Sequence, residues 1–194
     1  MYQVIGGVKS RGFRVIWALE EMGLDFEVLD AKPHSPEVKT ANPLGKIPAL
    51  KVAEDYLTDS SAILTFLADK HDLLTYPAGT IERAKQDALL HQILDELDAV
   101  LWMAARHSFI LPEEMRVPAV KDSLKQEYLR NAARLADRLE GRFVMGDKMT
   151  ISDIVLTHCL NWAQVARFPA PDQRLVDYAK TMRSRDAFQR ALKR

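Results

Sequence analysis

Cysteine is almost missing from this sequence, since Cys159 is the single one among 194 residues. One thiol excludes an internal disulfide and is typical of a reducing compartment. Basic residues do not outnumber acidic ones, with 27 of each, so charge gives no indication of nucleic-acid binding. No apolar run approaches the length of a membrane span, and the N-terminal residues lack the pattern of a signal peptide. These absences predict a cytoplasmic protein with neither nucleic-acid nor membrane partners.

Metal and phosphate signatures are also lacking. The histidines show neither metal-ligand spacing nor a cysteine partner; they are His34, His71, His91, His107 and His158. The pair Gly6-Gly7 lacks the rest of any phosphate-binding loop pattern. We therefore expect no metal and no nucleotide cofactor.

The first part of the chain, residues 1–75, alternates strand and helix patterns. A strand-type run at 2–5 precedes a helix with apolar residues at i, i+3, i+4 and i+7, which Gly23 ends. A second strand-type run follows at 26–29, so these elements predict a βαβ unit. A hairpin and a helix after it predict a ββα unit, and thus a small domain of four strands and about three helices.

The stretch from Asn42 to Ser61 is the most informative in the chain. The residue before a proline is held extended, and if the Ile47-Pro48 bond is cis, the N–H and C=O of Ile47 are free to pair with an extended peptide. Asp59 and Ser60 then begin a helix, whose unpaired N–H groups can bind a carboxylate. The stretch predicts either a site for a small anionic peptide or an ordinary hairpin with an N-cap.

The second part, residues 80–194, contains almost no strand signal. Apolar residues hold a helical period from Thr80 to His107 and again over 117–139, 149–166 and 175–192. The run Thr150-Ile151-Ser152-Asp153 predicts a reciprocal capping box at one of these helices. We predict an α/β domain at 1–75 followed by an all-helical domain at 80–194.

This order of motifs resembles the cytosolic glutathione transferase family, in particular bacterial members with a serine-type active site. The resemblance rests on N-P-L-G-K-I-P, D-S-S-A-I and G-D-K-M-T-I-S-D-I, in the family's order and spacing, and covers nearly the whole chain. It implies a thioredoxin-like N-terminal domain, glutathione as co-substrate and a homodimer.

The resemblance also implies roles for single residues. Ile47, before the cis-proline Pro48, would pair with the cysteinyl part of glutathione, while Asp59 and Ser60 would bind its γ-glutamyl end. Lys46 would meet the glycine carboxylate, unless it is an ordinary exposed lysine.

Ser10 is the candidate activating group, because Lys9-Ser10-Arg11-Gly12-Phe13-Arg14 looks like the S-x-x-x-R arrangement of serine-type members. A hydroxyl that donates to the glutathione sulfur favours the thiolate, which is the nucleophile. The alternative is that Ser10 only caps the first helix. Tyr2 is a rival phenol with little weight, because it begins its strand.

The resemblance places the acceptor site in the cleft between the domains. Four residues near the end of the 80–107 helix are candidates for it: Trp102, Met103, Arg106 and His107. The alternative for each is a packing role, since a stripe of this kind at helical spacing is more often core.

The sequence leaves several functions open. We expect conjugation of glutathione to a small hydrophobic electrophile, as in detoxification. A glutathione-dependent reductase, isomerase or dehalogenase, or a non-catalytic module that binds a protein partner, are alternatives. Thiol-disulfide exchange is disfavoured because no cysteine lies near Ser10, and the sequence does not identify the electrophile.

Overall fold

The computed structural model describes residues 1–194, which form two compact units. Unit 1 comprises Met1–Thr80 together with Met182–Arg194, and unit 2 comprises Ile81–Thr181. The change of unit between Thr80 and Ile81 lies close to residue 80, where the helical domain is predicted to begin. The grouping of Met182–Arg194 with unit 1 differs from the prediction, which placed all of 80–194 in one helical domain.

The secondary structure consists of four strands and nine α-helices, together with two π turns and one 3₁₀ turn. The strands are β1 (Tyr2–Ile5), β2 (Phe26–Leu29), β3 (Ala49–Val52) and β4 (Asp55–Thr58). The helices are α1 (Gly12–Met22), α2 (Pro36–Ala41), α3 (Ser60–His71), α4 (Ile81–Ile93), α5 (Ala99–Ala105), α6 (Val120–Asp137), α7 (Ile151–Val165), α8 (Gln173–Arg183) and α9 (Asp186–Ala191).

Unit 1 is built on one sheet with the strand order β2-β1-β3-β4. Strand β1 runs parallel to β2 and antiparallel to β3, and β3 pairs antiparallel with β4. This is the βαβ followed by ββα that the sequence predicts, and the thioredoxin-like fold class is confirmed. Helix α2 was not placed by the sequence; Ser35 caps it by accepting from Val38 N (3.4 Å), and Val38 is buried against the sheet.

Helix α9 belongs to unit 1 because its apolar face packs on α1. The ring of Phe188 meets Phe13 and Trp17 edge-on, with centroids 5.0 and 4.9 Å apart. All three side chains are buried. The sequence predicted one helix over 175–192, whereas the structure ends α8 at Arg183 and begins α9 at Asp186.

Unit 2 is all-helical, as predicted. The predicted helix over 80–107 is continuous with α4 and α5, but π turns interrupt it at Leu94–Asp98 and Arg106–Ile110. The predicted capping box of α7 is confirmed, because Thr150 N donates to Asp153 Oδ2 (2.7 Å). Cys159 lies buried inside α7, as expected of a structural thiol. No helix of the chain has both the length and the apolar character needed to cross a membrane.

Candidate active site

Three segments singled out in the sequence meet at one edge of the sheet of unit 1. The strand register pairs Ile5 with Ala49, and Ala49 with Thr58. The loop that leads to Ser10 follows β1, the Ile47-Pro48 pair precedes β3, and α3 follows β4. Adjacent strands are about 4.8 Å apart, so the ends of β1, β3 and β4 place these segments side by side.

Ile47 presents an unpaired main chain at this edge. Neither its N–H nor its C=O has a hydrogen-bond partner within residues 1–194, and the residue is half-buried. The Ile47-Pro48 peptide is cis, as the resemblance implied. Gly6 packs closely enough that a Cβ there would lie 2.9 Å from the Cβ of Ile47. Partly buried polar groups of the main chain are normally paired, so this pair is suited to the backbone of a ligand.

The N-terminus of α3 is only partly open. Asp59 has φ of 67°, and its Oδ1 accepts from Ser61 N (2.9 Å) and Ala62 N (3.1 Å). That oxygen therefore caps its own helix, which restricts the role predicted for Asp59 to Oδ2. The N–H of Ser60 has no partner. One helix N–H thus stays open to a carboxylate at the positive end of the helix dipole.

Ser60 is linked to a buried cation. Its Oγ accepts from Arg14 Nη1 (3.2 Å), and both side chains are buried. A buried guanidinium is costly unless hydrogen bonds satisfy it. Arg14 lies on α1 and is the arginine of the S-x-x-x-R arrangement noted in the sequence, but that arrangement did not predict its contact with Ser60.

The hydroxyl of Ser10 is engaged in the loop before α1. Its Oγ donates to Gly7 O (2.8 Å) and accepts from Gly12 N (3.0 Å). The second bond satisfies a helix N-terminal N–H, so the capping alternative describes a real contact. The residue is half-buried. A hydroxyl has one proton and two lone pairs, so rotation away from Gly7 O frees the proton for a ligand while the cap persists.

Two other predicted positions differ in their surroundings. The Lys46 side chain is exposed and has no partner, while its C=O accepts from Asn42 Nδ2 (3.0 Å). The hydroxyl of Tyr2 is hydrogen-bonded to His71 Nε2 (2.8 Å), at the opposite end of β1. The phenol of Tyr2 therefore lies away from the edge of the sheet that contains Ile47. This position agrees with the preference for Ser10 over Tyr2 as the activating group.

The candidate acceptor residues lie in unit 2 on one helical stretch. Trp102 and Met103 belong to α5, and Arg106 and His107 begin the π turn after it. All four are half-buried. His107 Nδ1 accepts from Val117 N (3.1 Å), so in this contact the neutral ring carries its proton on Nε2.

Comparison with known proteins shows which proteins this chain resembles. Residues 11–70 match the family described as "Glutathione S-transferase, N-terminal domain". The zeta-class glutathione S-transferase of Euphorbia esula is 29% identical over 82% of this chain and 73% of its own length. Elongation factor 1-gamma 1 of Oryza sativa subsp. japonica is 26% identical over 76% of this chain and 37% of its own.

A solved structure agrees with these relatives. A glutathione transferase from Phanerochaete chrysosporium, in complex with oxidized glutathione, is 25% identical and has a TM-score of 0.82. The match covers 99% of this chain and 94% of that one. The fold is shared with this solved structure, and most of the similar proteins are named glutathione S-transferases. This similarity agrees with the prediction of an enzyme of that kind.

Proposed function

We propose that this chain is a glutathione transferase that binds the tripeptide at the sheet edge of unit 1. The observation that carries the proposal is the unpaired main chain of Ile47 beside the open N–H of Ser60. In this arrangement the cysteinyl backbone of glutathione pairs with Ile47, held by Pro48. The γ-glutamyl carboxylate accepts from the Ser60 N–H and hydroxyl, with Arg14 behind them, and Asp59 Oδ2 accepts from the γ-glutamyl ammonium. Lys46 meets the glycine carboxylate.

In the proposed chemistry, Ser10 lowers the pKa of the bound thiol. Its hydroxyl turns from Gly7 O to donate to the sulfur, which favours the thiolate over the thiol. The thiol proton leaves to solvent. The sulfur then forms a C–S bond with an electrophilic carbon, and the leaving group departs with its bonding pair. This is the serine-type mechanism, and it uses a thiolate nucleophile.

The remaining roles are part of the same proposal. Trp102, Met103, Arg106 and His107 contact the acceptor, a small hydrophobic electrophile. The enzyme is a cytoplasmic homodimer that detoxifies such compounds. A reductase or isomerase on the same site differs only in what the thiolate attacks. The absence of a cysteine beside Ser10 favours conjugation over thiol-disulfide exchange alone.

A non-catalytic binding module is the second candidate, and the similarity to elongation factor 1-gamma is the observation in its favour. Such a module does not require an open main chain at Ile47 or a carboxylate-binding Ser60. Glutathione binding distinguishes the two candidates.

Calorimetric titration with reduced glutathione tests the proposal. Ser60→Ala removes a hydroxyl bond to a charged group, which contributes about 1.5 to 3 kcal/mol, so we expect affinity to fall about tenfold or more. Ser61→Ala is the matched control, because it removes a hydroxyl one residue along the same helix and should bind as wild type. Absence of binding by the wild type at millimolar glutathione would overturn the proposal in favour of the binding module.

A further inference from the structure

Arg106 is a half-buried cation without a partner. Its guanidinium makes no hydrogen bond, ion pair or ring contact within residues 1–194. The other half-buried arginines all have partners; for example, Arg185 binds Glu21 and Arg116 donates to Leu111 O. Partly buried charges are normally paired. Arg106 therefore has unused capacity to bind an anion.

The helix around Arg106 is apolar and widened. Trp102 and Met103 lie one turn before it, at the i−4 and i−3 positions that share its face. Leu111 N donates to Arg106 O (3.0 Å), which closes a π turn. A π turn adds one residue to the helix and is frequent at functional sites. The added residue leaves Phe109 and Ile110 outside the buried stripe of α5, with 66% and 46% of their surface exposed.

An exposed apolar patch continues from this turn. It consists of Phe109, Ile110, Met115 and Val117, four large hydrophobic residues within nine positions. The segment is held by bonds from Val117 N to His107 Nδ1 (3.1 Å) and from Arg116 Nε to Leu111 O (2.8 Å). Exposed apolar surface on an ordered frame indicates a binding surface.

The charges around the patch favour a single anion. Arg106 is half-buried, so water screens it less than the exposed acids Glu113 and Glu114 of the neighbouring turn. Those two acids oppose a second negative charge on a ligand. A monoanion with an apolar body therefore matches the apolar patch and Arg106 together.

We propose that Arg106 selects acceptors that carry one carboxylate on an apolar, aromatic body. This inference rests on the proposed function for the acceptor role of the helix. A planar guanidinium matches the two oxygens of a carboxylate. The apolar body of the acceptor lies on Phe109, Ile110 and Trp102, all of them in unit 2.

A matched pair of ligands tests the inference. The protein is titrated with chlorodinitrobenzoate and with its neutral methyl ester. Binding is followed by quenching of tryptophan fluorescence, because Trp102 lies one helical turn from Arg106. We expect Arg106→Gln to weaken carboxylate binding about tenfold, the effect of losing a bond between charged groups, and to leave ester binding unchanged. Arg106→Lys should restore part of the loss, since it keeps the charge without the fork.

Arg130→Gln is the control, because Arg130 is an exposed arginine of α6 without a partner. It should bind both ligands as wild type. Equal losses in Arg106→Gln and Arg130→Gln, or carboxylate binding unaffected by Arg106→Gln, would overturn the inference. Glutathione titration of the same samples distinguishes failure of the proposed function from failure of the proposal on Arg106. If glutathione does not bind, the proposed function fails, while the preference for carboxylate over ester still decides the role of Arg106.

Kinetics with saturating glutathione give a second readout. We expect Arg106→Gln to raise KM for the benzoate about tenfold and to leave kcat and the absorbance of the bound thiolate unchanged. A fall in kcat for both ligands would instead indicate a general structural role for Arg106 and contradict the inference.

Discussion

At the scale of single residues, Ser10 combines two roles that sequence reasoning set against each other. Its oxygen accepts from Gly12 N, which is a capping contact, and its proton points to Gly7 O. The capping bond uses a lone pair and the proposed activation uses the proton. Capping and activation are therefore compatible, and they separate experimentally because only activation affects the glutathione thiol.

We predict that Ser10→Ala raises the pKa of bound glutathione thiol by about 1 to 2, the equivalent of one hydrogen bond to a charged group. Thiolate absorbance in the ultraviolet, followed against pH in the complex, measures this. Glutathione affinity should change little, because Ile47 and Ser60 hold the tripeptide. Ser108→Ala, which removes a hydroxyl bonded to Ala104 O, should leave the thiol pKa as in wild type. An unchanged pKa in Ser10→Ala would reduce Ser10 to a cap.

The sequence predicted only part of the candidate site. The cis Ile47-Pro48 bond and the start of α3 at Ser60 are local geometry that the sequence could indicate. The bond from Arg14 to Ser60 was not predictable, because it joins positions 46 residues apart through burial that no local pattern encodes. Asp59 was predicted as a ligand, yet its Oδ1 caps α3. The same residue type suits both roles, so the sequence could not separate them.

At the scale of elements, arginines in and around α9 neutralise the negative charges at the C-terminal end of α1. Glu20 and Glu21 occupy the last turn of α1, where the helix dipole disfavours negative charge. The C-terminal segment supplies cations: Arg190 Nε lies 2.7 Å from Glu20 Oε2, and Arg185 forms two bonds with Glu21. Arg194 Nε also donates to Glu20 Oε1 (2.6 Å). The periodicity of 175–192 predicted a helix but not this docking, since the pairing spans nearly the whole chain.

Glu20 makes the docking depend on pH. Burial raises its pKa, but the bonds from Arg190 and Arg194 outweigh burial and hold it below the usual 4.5. A depressed pKa contributes stability that is present above the unfolded value and lost as pH falls through the folded one. We predict that Glu20→Gln lowers the free energy of unfolding by about 1 kcal/mol near neutral pH, because the two arginines are partly exposed.

Urea unfolding of wild type and Glu20→Gln measures this difference in the free energy of unfolding. It is done at neutral pH and at a pH below the pKa of the Glu20 carboxyl in the folded protein. The gap between wild type and Glu20→Gln should close in acid, where the wild-type carboxyl is protonated. Glu54→Gln, at an exposed hairpin position without a partner, should match wild type at both pH values. A gap of constant size would show that the ionised form of Glu20 contributes nothing.

At the scale of the whole molecule, unit 1 is discontinuous in sequence. Its sheet and first helices come from Met1–Thr80, and its last helix comes from the end of the chain. Sequence patterns identified the α/β part and the helical part correctly, because the strand signals stop near residue 80. They placed the last helix in the helical domain, whereas the structure groups it with unit 1; a helical pattern specifies an apolar face but not the element that covers it.

We predict that Phe188→Ala destabilises unit 1 selectively. Phe188 is buried against Phe13 and Trp17, and removal of a buried phenyl ring costs about 3 to 5 kcal/mol. Native-state hydrogen exchange should accelerate in α1 and in the strands, with less change in α4 and α7. The matched variant is Phe168→Ala, since Phe168 is buried and meets Tyr128 edge-on within unit 2; it should accelerate exchange in α6 and α7. Equal acceleration of both units by Phe188→Ala would mean that they unfold together, and α9 would then stabilise the whole chain and not unit 1 alone.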